Sequence, residues 1–384
     1  MPPTSNSIKQ FKAIFGHQPV VLSRSPGRVN LIGEHVDYQG GFVMPIALDR
    51  YLEMAARPIT EPEIRLWSSH VDRPPLCVPI EGLQPLHGDD SWANYILGVA
   101  AQHLGKGSEI VGFEAVIDGD LPVGAGLSSS AALESIASLT IEQLNGLDQS
   151  PRERALLSQV AEHQFAGVPC GIMDQLIVNE AVAEQALMID CESLSLTPVP
   201  LPAELSVVIV NSGVRHALAD GEYRKRRADC EAASRILGVP SLRHATLPQL
   251  IKSRSQLGDR LFRRAHHIVT ENFRVKAFAK ALSECDTSSV SQLMADSHTS
   301  LRDDYEVSCS ELDTLVRLAS NLGAVGTRMT GGGFGGSTIN LVNATHASDF
   351  CTAIRAAYLQ QNQTSVDAFI IKPVGAAGAQ MIGQ

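Results

Sequence analysis

Three groups of side chains in this chain have the types and spacing to do chemistry. The first is Pro122-Val123-Gly124-Ala125-Gly126-Leu127-Ser128-Ser129-Ser130. Gly124 and Gly126 free the backbone and let it approach a ligand closely, and three hydroxyls stand beside the N–H groups that open a predicted helix. This pattern predicts an anion cradle, with a nucleotide phosphate as its expected occupant. The segment lacks the Gly-Lys-Ser/Thr ending of a Walker loop and is not the dinucleotide-binding pattern, and a purely structural connection is the competing explanation.

The second group, Glu34-His35-Val36-Asp37-Tyr38, crowds two carboxylates, an imidazole and a phenol into one loop. Such a mixture of donors and acceptors suits a polyhydroxylated ligand. Metal ligation by Glu34, His35 and Asp37 competes with that reading, as does an ordinary polar loop. The third group lies in Ala161-Glu162-His163-Gln164-Phe165-Ala166-Gly167-Val168-Pro169-Cys170-Gly171-Ile172-Met173-Asp174-Gln175, which runs off a helical segment into a turn. Asp174 has apolar neighbours in Ile172, Met173, Leu176 and Ile177, so its carboxylate needs a partner to offset desolvation. It reads as a general base or, more plainly, as a cap or salt-bridge partner. Arg28 is the candidate cation, because its fork can hold a carboxylate and a transferring phosphoryl oxygen together. Phosphoryl transfer from ATP calls for magnesium, a hard cation that Ser130 and Glu162 could hold if two packed helices brought them together. His163 reads as a packing or surface histidine. A glycine run, Gly331 to Gly336, follows Arg328-Met329-Thr330 and predicts close backbone approach, either to phosphate or purely as an architectural turn.

These groups need elements to position them. Residues 19–33 read as a strand leading into a turn and a polar loop, further strands are predicted over 41–48, 51–57, 64–68, 110–117, 205–210 and 337–342, and helices over 92–104, 130–144, 223–237, 261–285, 310–322 and 347–360. Gly146 offers a stop to the helix behind the phosphate loop. Strands and helices mix without a regular βα repeat, which implies an α+β or mixed α/β arrangement. Pro198-Val199-Pro200-Leu201-Pro202 reads as a stiff crossing, dividing the chain into residues 1–197 and 198–384.

The chain has 384 residues, 44% hydrophobic and 19% charged, as expected of a folded protein with two domains. Its formal charge of −10 gives no general attraction to nucleic acid or an anionic membrane. Small molecules are the expected partners and a monomer the default. Seven cysteines without C-x-x-C spacing exclude a disulfide scaffold and predict mostly buried thiols. A polar start and the lack of any run of about 20 apolar residues make the cytoplasm the expected location.

Together the motifs closely resemble the galactokinases of the GHMP small-molecule kinase superfamily. Residues 26–38 are similar to the family's N-terminal signature, 124–131 to the superfamily's ATP loop and 328–336 to its C-terminal glycine motif. The resemblance implies an α+β fold with a ribosomal-S5-like N-terminal domain, a ferredoxin-like C-terminal domain and both substrates at their interface. It implies Asp174 as catalytic base toward the C1 hydroxyl of galactose, with Arg28 holding it. It implies galactose contacts from Arg28, Glu34, His35, Asp37, Gly171, Asp174 and Tyr223. On the ATP side it implies Gly124, Gly126, Leu127, Ser128, Ser129 and Ser130 at the phosphates and Trp92 and Tyr95 near the adenine, with Ser130 and Glu162 at Mg2+. Val36, Gln39, Gly332 and Ser337 depart from the family's usual residues, and Val36 removes a hydroxyl that would influence the pose of Asp37. N-acetylgalactosamine or another sugar, and a non-catalytic sugar-responsive protein, are the alternatives.

Overall fold

The computed structural model describes residues 5–122, 124–215 and 219–382. Its first elements are α1 (Asn6–Phe15), β1 (Val21–Asn30), β2 (Phe42–Val43), β3 (Pro45–Ile59), β4 (Glu63–Ser68), β5 (Leu76–Pro79), α2 (Asn94–Gly105) and β6 (Gly112–Gly119). Next come α3 (Ser129–Asn145), α4 (Pro151–Ala161), α5 (Met173–Glu180), β7 (Gln185–Asp190), β8 (Leu196–Pro200) and β9 (Leu205–Arg215). Helices then dominate, with α6 (Ala219–Leu237), α7 (Leu247–Lys252), α8 (Arg254–Ser283), α9 (Thr287–Asp303) and α10 (Ser310–Asn321). The chain closes with β10 (Gly326–Thr330), β11 (Gly335–Asn343), α11 (Ala347–Asn362), β12 (Asp367–Ile371) and β13 (Gly378–Met381).

The strands form sheets ordered β13-β1-β3-β6-β4-β5, β10-β11-β9-β12 and β2-β7-β8. Among the described pairs only β4 with β6 is parallel, so the expected α+β class holds. β1 and β3 form the spine of the first sheet. The two strands predicted at 41–48 and 51–57 are largely one, β3, with a bulge: Pro26 pairs with Tyr51 but Gly27 pairs with Leu48. Pro26 has no N–H to donate, so the ladder breaks there and the strand is re-aimed just before Arg28.

α3 packs on that spine. Ala131, Ala132, Ile136, Ala137 and Ile141 are fully buried, and the alanines let the helix lie close. Gly146 ends it in the left-handed conformation, φ 62°, donating its N–H to the Glu142 carbonyl. Buried Glu142 accepts Arg154 Nε at 2.9 Å and Nη2 at 2.7 Å, which pins α4 to α3.

The 198–200 stretch differs from its reading as a bare crossing. It belongs to β8, which among the described residues pairs only with β7, and an edge strand tolerates proline. The predicted helix at 261–285 begins earlier, at Arg254, with a break at Gly258 (φ 67°, ψ 170°). The thiols are also less buried than expected. Cys230 and Cys351 are buried, whereas Cys77 on edge strand β5 and Cys285 at the end of α8 are exposed; all seven are unpaired. Among the described residues no helix is long and apolar enough to cross a membrane.

Candidate active site

The site is built around one ion pair. Arg28, near the end of β1, donates Nε to Asp174 Oδ1 and Nη2 to Asp174 Oδ2, each at 2.8 Å, across 146 positions of sequence. Its remaining nitrogen, Nη1, donates to the Gly126 carbonyl at 2.7 Å, and its backbone N–H to the Leu127 carbonyl at 3.0 Å. A side chain at Gly27 would meet that same Leu127 carbonyl at 2.7 Å, so glycine is required for β1 to lie against the loop. Ser128 adds a third clamp by donating its hydroxyl to Asp174 Oδ2. Ser128 adopts the left-handed conformation (φ 58°, ψ 47°), uncommon for serine. Strand, loop and the first turn of α5 therefore converge on one carboxylate.

Two cavities meet there. The larger, about 430 Å³, is lined by Trp92, Tyr95, Gly124, Gly126, Leu127, Ser128, Ser129 and Ser130, with Leu52, Val71, Ile117 and Leu133 forming an apolar wall. One end is thus suited to a flat ring and the other, at the start of α3, to an anion. The smaller, about 220 Å³, is lined by Glu34, His35, Asp37, Glu162, Gly171 and Tyr223. Arg28, Asp174, Gly332, Gly333 and Phe334 belong to both. Every residue to which the resemblance gave a catalytic, sugar, nucleotide or metal role thus lines this paired cleft.

The smaller cavity is made of side chains already tied to the protein. Glu34 Oε1 accepts the Gly331 N–H at 2.7 Å and the Thr330 hydroxyl at 3.0 Å, and buried Arg328 lies 3.7 Å away. His35 Nε2 donates to the Gly332 carbonyl at 3.0 Å, which leaves Nδ1 to accept from the Tyr38 hydroxyl at 3.1 Å. Burial, reinforced by His267, lowers its pKa to about 3, so the ring is neutral. Both ring nitrogens are engaged within the protein. Burial and the neighbouring Asp174 raise Asp37 to about 7. Gly171 leaves room for Asp37, whose carboxylate a Cβ there would overlap. Val36 packs in the core, and its carbonyl accepts the N–H groups of Gln39 and Gly41, so the loop holds its shape without the family's usual hydroxyl.

Ser130 lies in the first turn of α3, and Glu162 opens a π-turn, Glu162–Ala166, that continues α4. Their side chains come together as expected, since the Ser130 hydroxyl is among the groups that bond Glu162. Burial and the charge of Asp174 still raise Glu162 to about 7. Gln175 Nε2 donates to Glu162 Oε2 at 2.6 Å and to Glu134 at 3.1 Å, and the Cys170 thiol donates to Glu162 at 3.3 Å. No trio of His, Cys, Asp or Glu among the described residues forms a metal cage. A hydroxyl and a desolvated carboxylate are nonetheless hard oxygen donors suited to magnesium, which keeps waters and phosphate oxygens as its other ligands.

The glycine run makes the close backbone approach expected of it. Gly331 backs onto the phosphate loop, where a Cβ would lie 3.2 Å from the Gly126 carbonyl, and Ser337 donates to the Ala125 carbonyl at 3.0 Å. Its residues also line both cavities. Sequence reasoning missed Leu52, Val71, Ile117 and Leu133, whose apolar character is equally that of core positions. It also missed Phe334, for which the flanking glycines were the available signal.

Comparison with known proteins bears on the same residues. The galactokinase galactose-binding signature matches residues 9–58, the GHMP kinases N terminal domain residues 94–179 and the GHMP kinases C terminal domain residues 278–360. The chain is 48% identical to a galactokinase of Chloroflexus aurantiacus over 357 residues, covering 91% of this chain and 90% of that one. It is 44% identical to a galactokinase of Canis lupus familiaris, with 91% of each covered. Its fold is similar to that of Lactococcus lactis galactokinase complexed with galactose, at TM-score 0.92 and 32% identity, covering 96% of this chain and 98% of that one.

Proposed function

The chain belongs to the galactokinase family of GHMP kinases, and from that membership we propose that it transfers the γ-phosphoryl group of ATP to the C1 hydroxyl of α-D-galactose, giving α-D-galactose 1-phosphate and ADP. The observation that carries the reading is the place of Asp174: it stands where the two cavities meet, fixed on both oxygens by Arg28. ATP lies in the larger cavity, its ring between Trp92, Tyr95 and the apolar wall and its phosphates on the loop from Gly124 to Ser130. Galactose lies in the smaller one, against Glu34, His35, Asp37, Gly171 and Tyr223. Residues 1–197 carry most of these contacts, and residues 198–384 complete the cleft.

Asp174 Oδ1 takes the proton of the C1 hydroxyl as the sugar oxygen bonds to the γ-phosphorus and the bond from phosphorus to the β-phosphate oxygen breaks. Aspartate is in general a weak base near neutral pH. In a loose transition state the proton leaves late, so positioning contributes more than basicity. Arg28 keeps the carboxylate aimed, and its charge offsets that gathering on the phosphoryl oxygens. Ser130 and Glu162 would hold Mg2+, which when bound neutralises the β- and γ-phosphates. His35 serves through its ring and its backbone, since its nitrogens are engaged.

The test is direct detection of sugar 1-phosphate from purified protein, Mg-ATP and a panel of galactose, N-acetylgalactosamine, glucose and arabinose. Strong preference for galactose is expected. Transfer to N-acetylgalactosamine at a comparable rate would reassign the acceptor, and no transfer at all would overturn the kinase reading.

A further inference from the structure

The loop after α9 joins three walls of the smaller cavity without itself lining that cavity. Tyr305, in this loop, is fully buried, and its hydroxyl lies 2.6 Å from that of Tyr38 and 3.1 Å from Cys230 Sγ. We propose that Tyr305 is a positioning residue for the sugar: acting through Tyr38, it fixes the ring of His35 and so sets how tightly the smaller cavity holds its acceptor. The proposal rests on that cavity being the sugar site.

Each hydrogen in the chain can be placed. The Gly332 carbonyl can only accept, so His35 Nε2 donates to it and Nδ1 must accept. Tyr38 therefore donates to Nδ1, and its oxygen is left to receive the Tyr305 hydroxyl hydrogen. The Tyr305 oxygen in turn receives the Cys230 S–H. Burial raises both phenols and moves the Cys230 thiol up to about 12, so all three stay protonated and the chain keeps one direction. It runs from Cys230 through Tyr305, Tyr38 and His35 to Gly332, a residue common to both cavities.

The neighbouring backbone fixes where this chain starts. The carbonyls of Tyr305 and Glu306 accept Arg226 Nε and Nη2 at 2.8 Å each, and Arg226 lies one turn beyond Tyr223 on α6. The Val307 carbonyl accepts the Phe334 N–H at 2.8 Å, and Gly333 packs so closely that a Cβ would overlap that carbonyl. The Tyr305 ring also packs on His267 at 4.6 Å between centroids, and His267 Nε2 donates to the Glu34 carbonyl at 3.1 Å. The Glu34–Tyr38 loop, the helix carrying Tyr223 and the glycine turn are thus registered on residues 305–307.

Replacing Tyr305 by Phe keeps the ring and these backbone bonds and removes only the hydroxyl. The parental protein is assayed first with galactose and Mg-ATP; absence of transfer there sinks the sugar-kinase reading and is distinct from the result below. Given an active parent, Tyr305→Phe is expected to raise the galactose KM about tenfold, with kcat and the ATP KM within about twofold, because one buried hydrogen bond and its stranded partner are lost. Tyr38→Phe, one link nearer His35, is expected to give the same pattern. The double variant is expected to be no worse than the worse single one, because both changes break one chain. An unchanged galactose KM, KM values rising together for both substrates with a falling Tm, or additive effects would each overturn the proposal. If Tyr305→Phe does not fold, calorimetric binding of galactose to Tyr38→Phe decides, with parental affinity counting against the proposal and weakened affinity for it.

Discussion

The two halves of the cleft are made of different material. The proposed phosphate end of the larger cavity comes from one continuous stretch, Gly124 to Ser130, at the start of a helix. The smaller cavity is assembled from side chains of residues 34–37, 162–174 and 223, and its glycine turn comes from 331–334. A backbone cradle is specified locally and owes little to any one side chain. A side-chain pocket owes its shape to long-range bonds such as Glu34 to Gly331 and His35 to Gly332. Recognition of a common phosphate donor can therefore persist while acceptor recognition varies.

Substitutions can break or sharpen this contrast. Asp174→Asn, at the junction, is expected to lower kcat by about a thousandfold or more in a folded variant that still binds both substrates. A near-parental rate in the folded variant would remove Asp174 from the chemistry. Gly171→Ala is expected to raise the galactose KM about tenfold to a hundredfold and leave the ATP KM unchanged, since the new methyl displaces Asp37. Equal changes in both would mean that the two halves are not separable.

The third test uses pH. Asp37 is raised to about 7, and a sugar hydroxyl that donates to it needs the carboxylate. Binding therefore favours the deprotonated form, and the galactose KM should rise as pH falls below about 7, by up to about tenfold per unit, and level off above. Asp37→Asn should abolish the slope, and a slope that survives belongs to another group. The smallest effect is expected of Ser129→Ala, with the ATP KM within about threefold, because the cradle is chiefly main chain. A larger rise would show that the hydroxyl, and not the backbone, holds the phosphate.

The same contrast explains what could be read in the sequence. Gly124 to Ser130 was legible because a local motif makes a local structure. Most strands and helices were legible from their periodicity, and α3 ended at Gly146 as expected. α4 was not delimited, although Ser150-Pro151-Arg152-Glu153 forms a capping box with proline at the first turn. α1 was hidden by its polar residues, although Ile8, Phe11 and Phe15 lie on one face before Gly16. Glu34, His35, Asp37, Glu162 and Asp174 of the smaller cavity stood out by residue type, whereas Gly171 and Tyr223 were named through family resemblance. The contacts of this cavity span hundreds of positions, as from Glu34 to Gly331, and no local pattern encodes them. Tyr305 gave no signal of its own because its role arises only where three distant segments meet.

The last strand has a consequence of its own. β13 pairs with β1 from Val21 to Arg24, on the side away from β3, and β1 carries Arg28. In synthesis from the N-terminus, every side chain of both cavities emerges before the strand that completes this sheet. A nascent chain could therefore expose a nearly whole cleft beside an unpaired edge of β1, and arrest before residue 378 would leave that edge open to another chain.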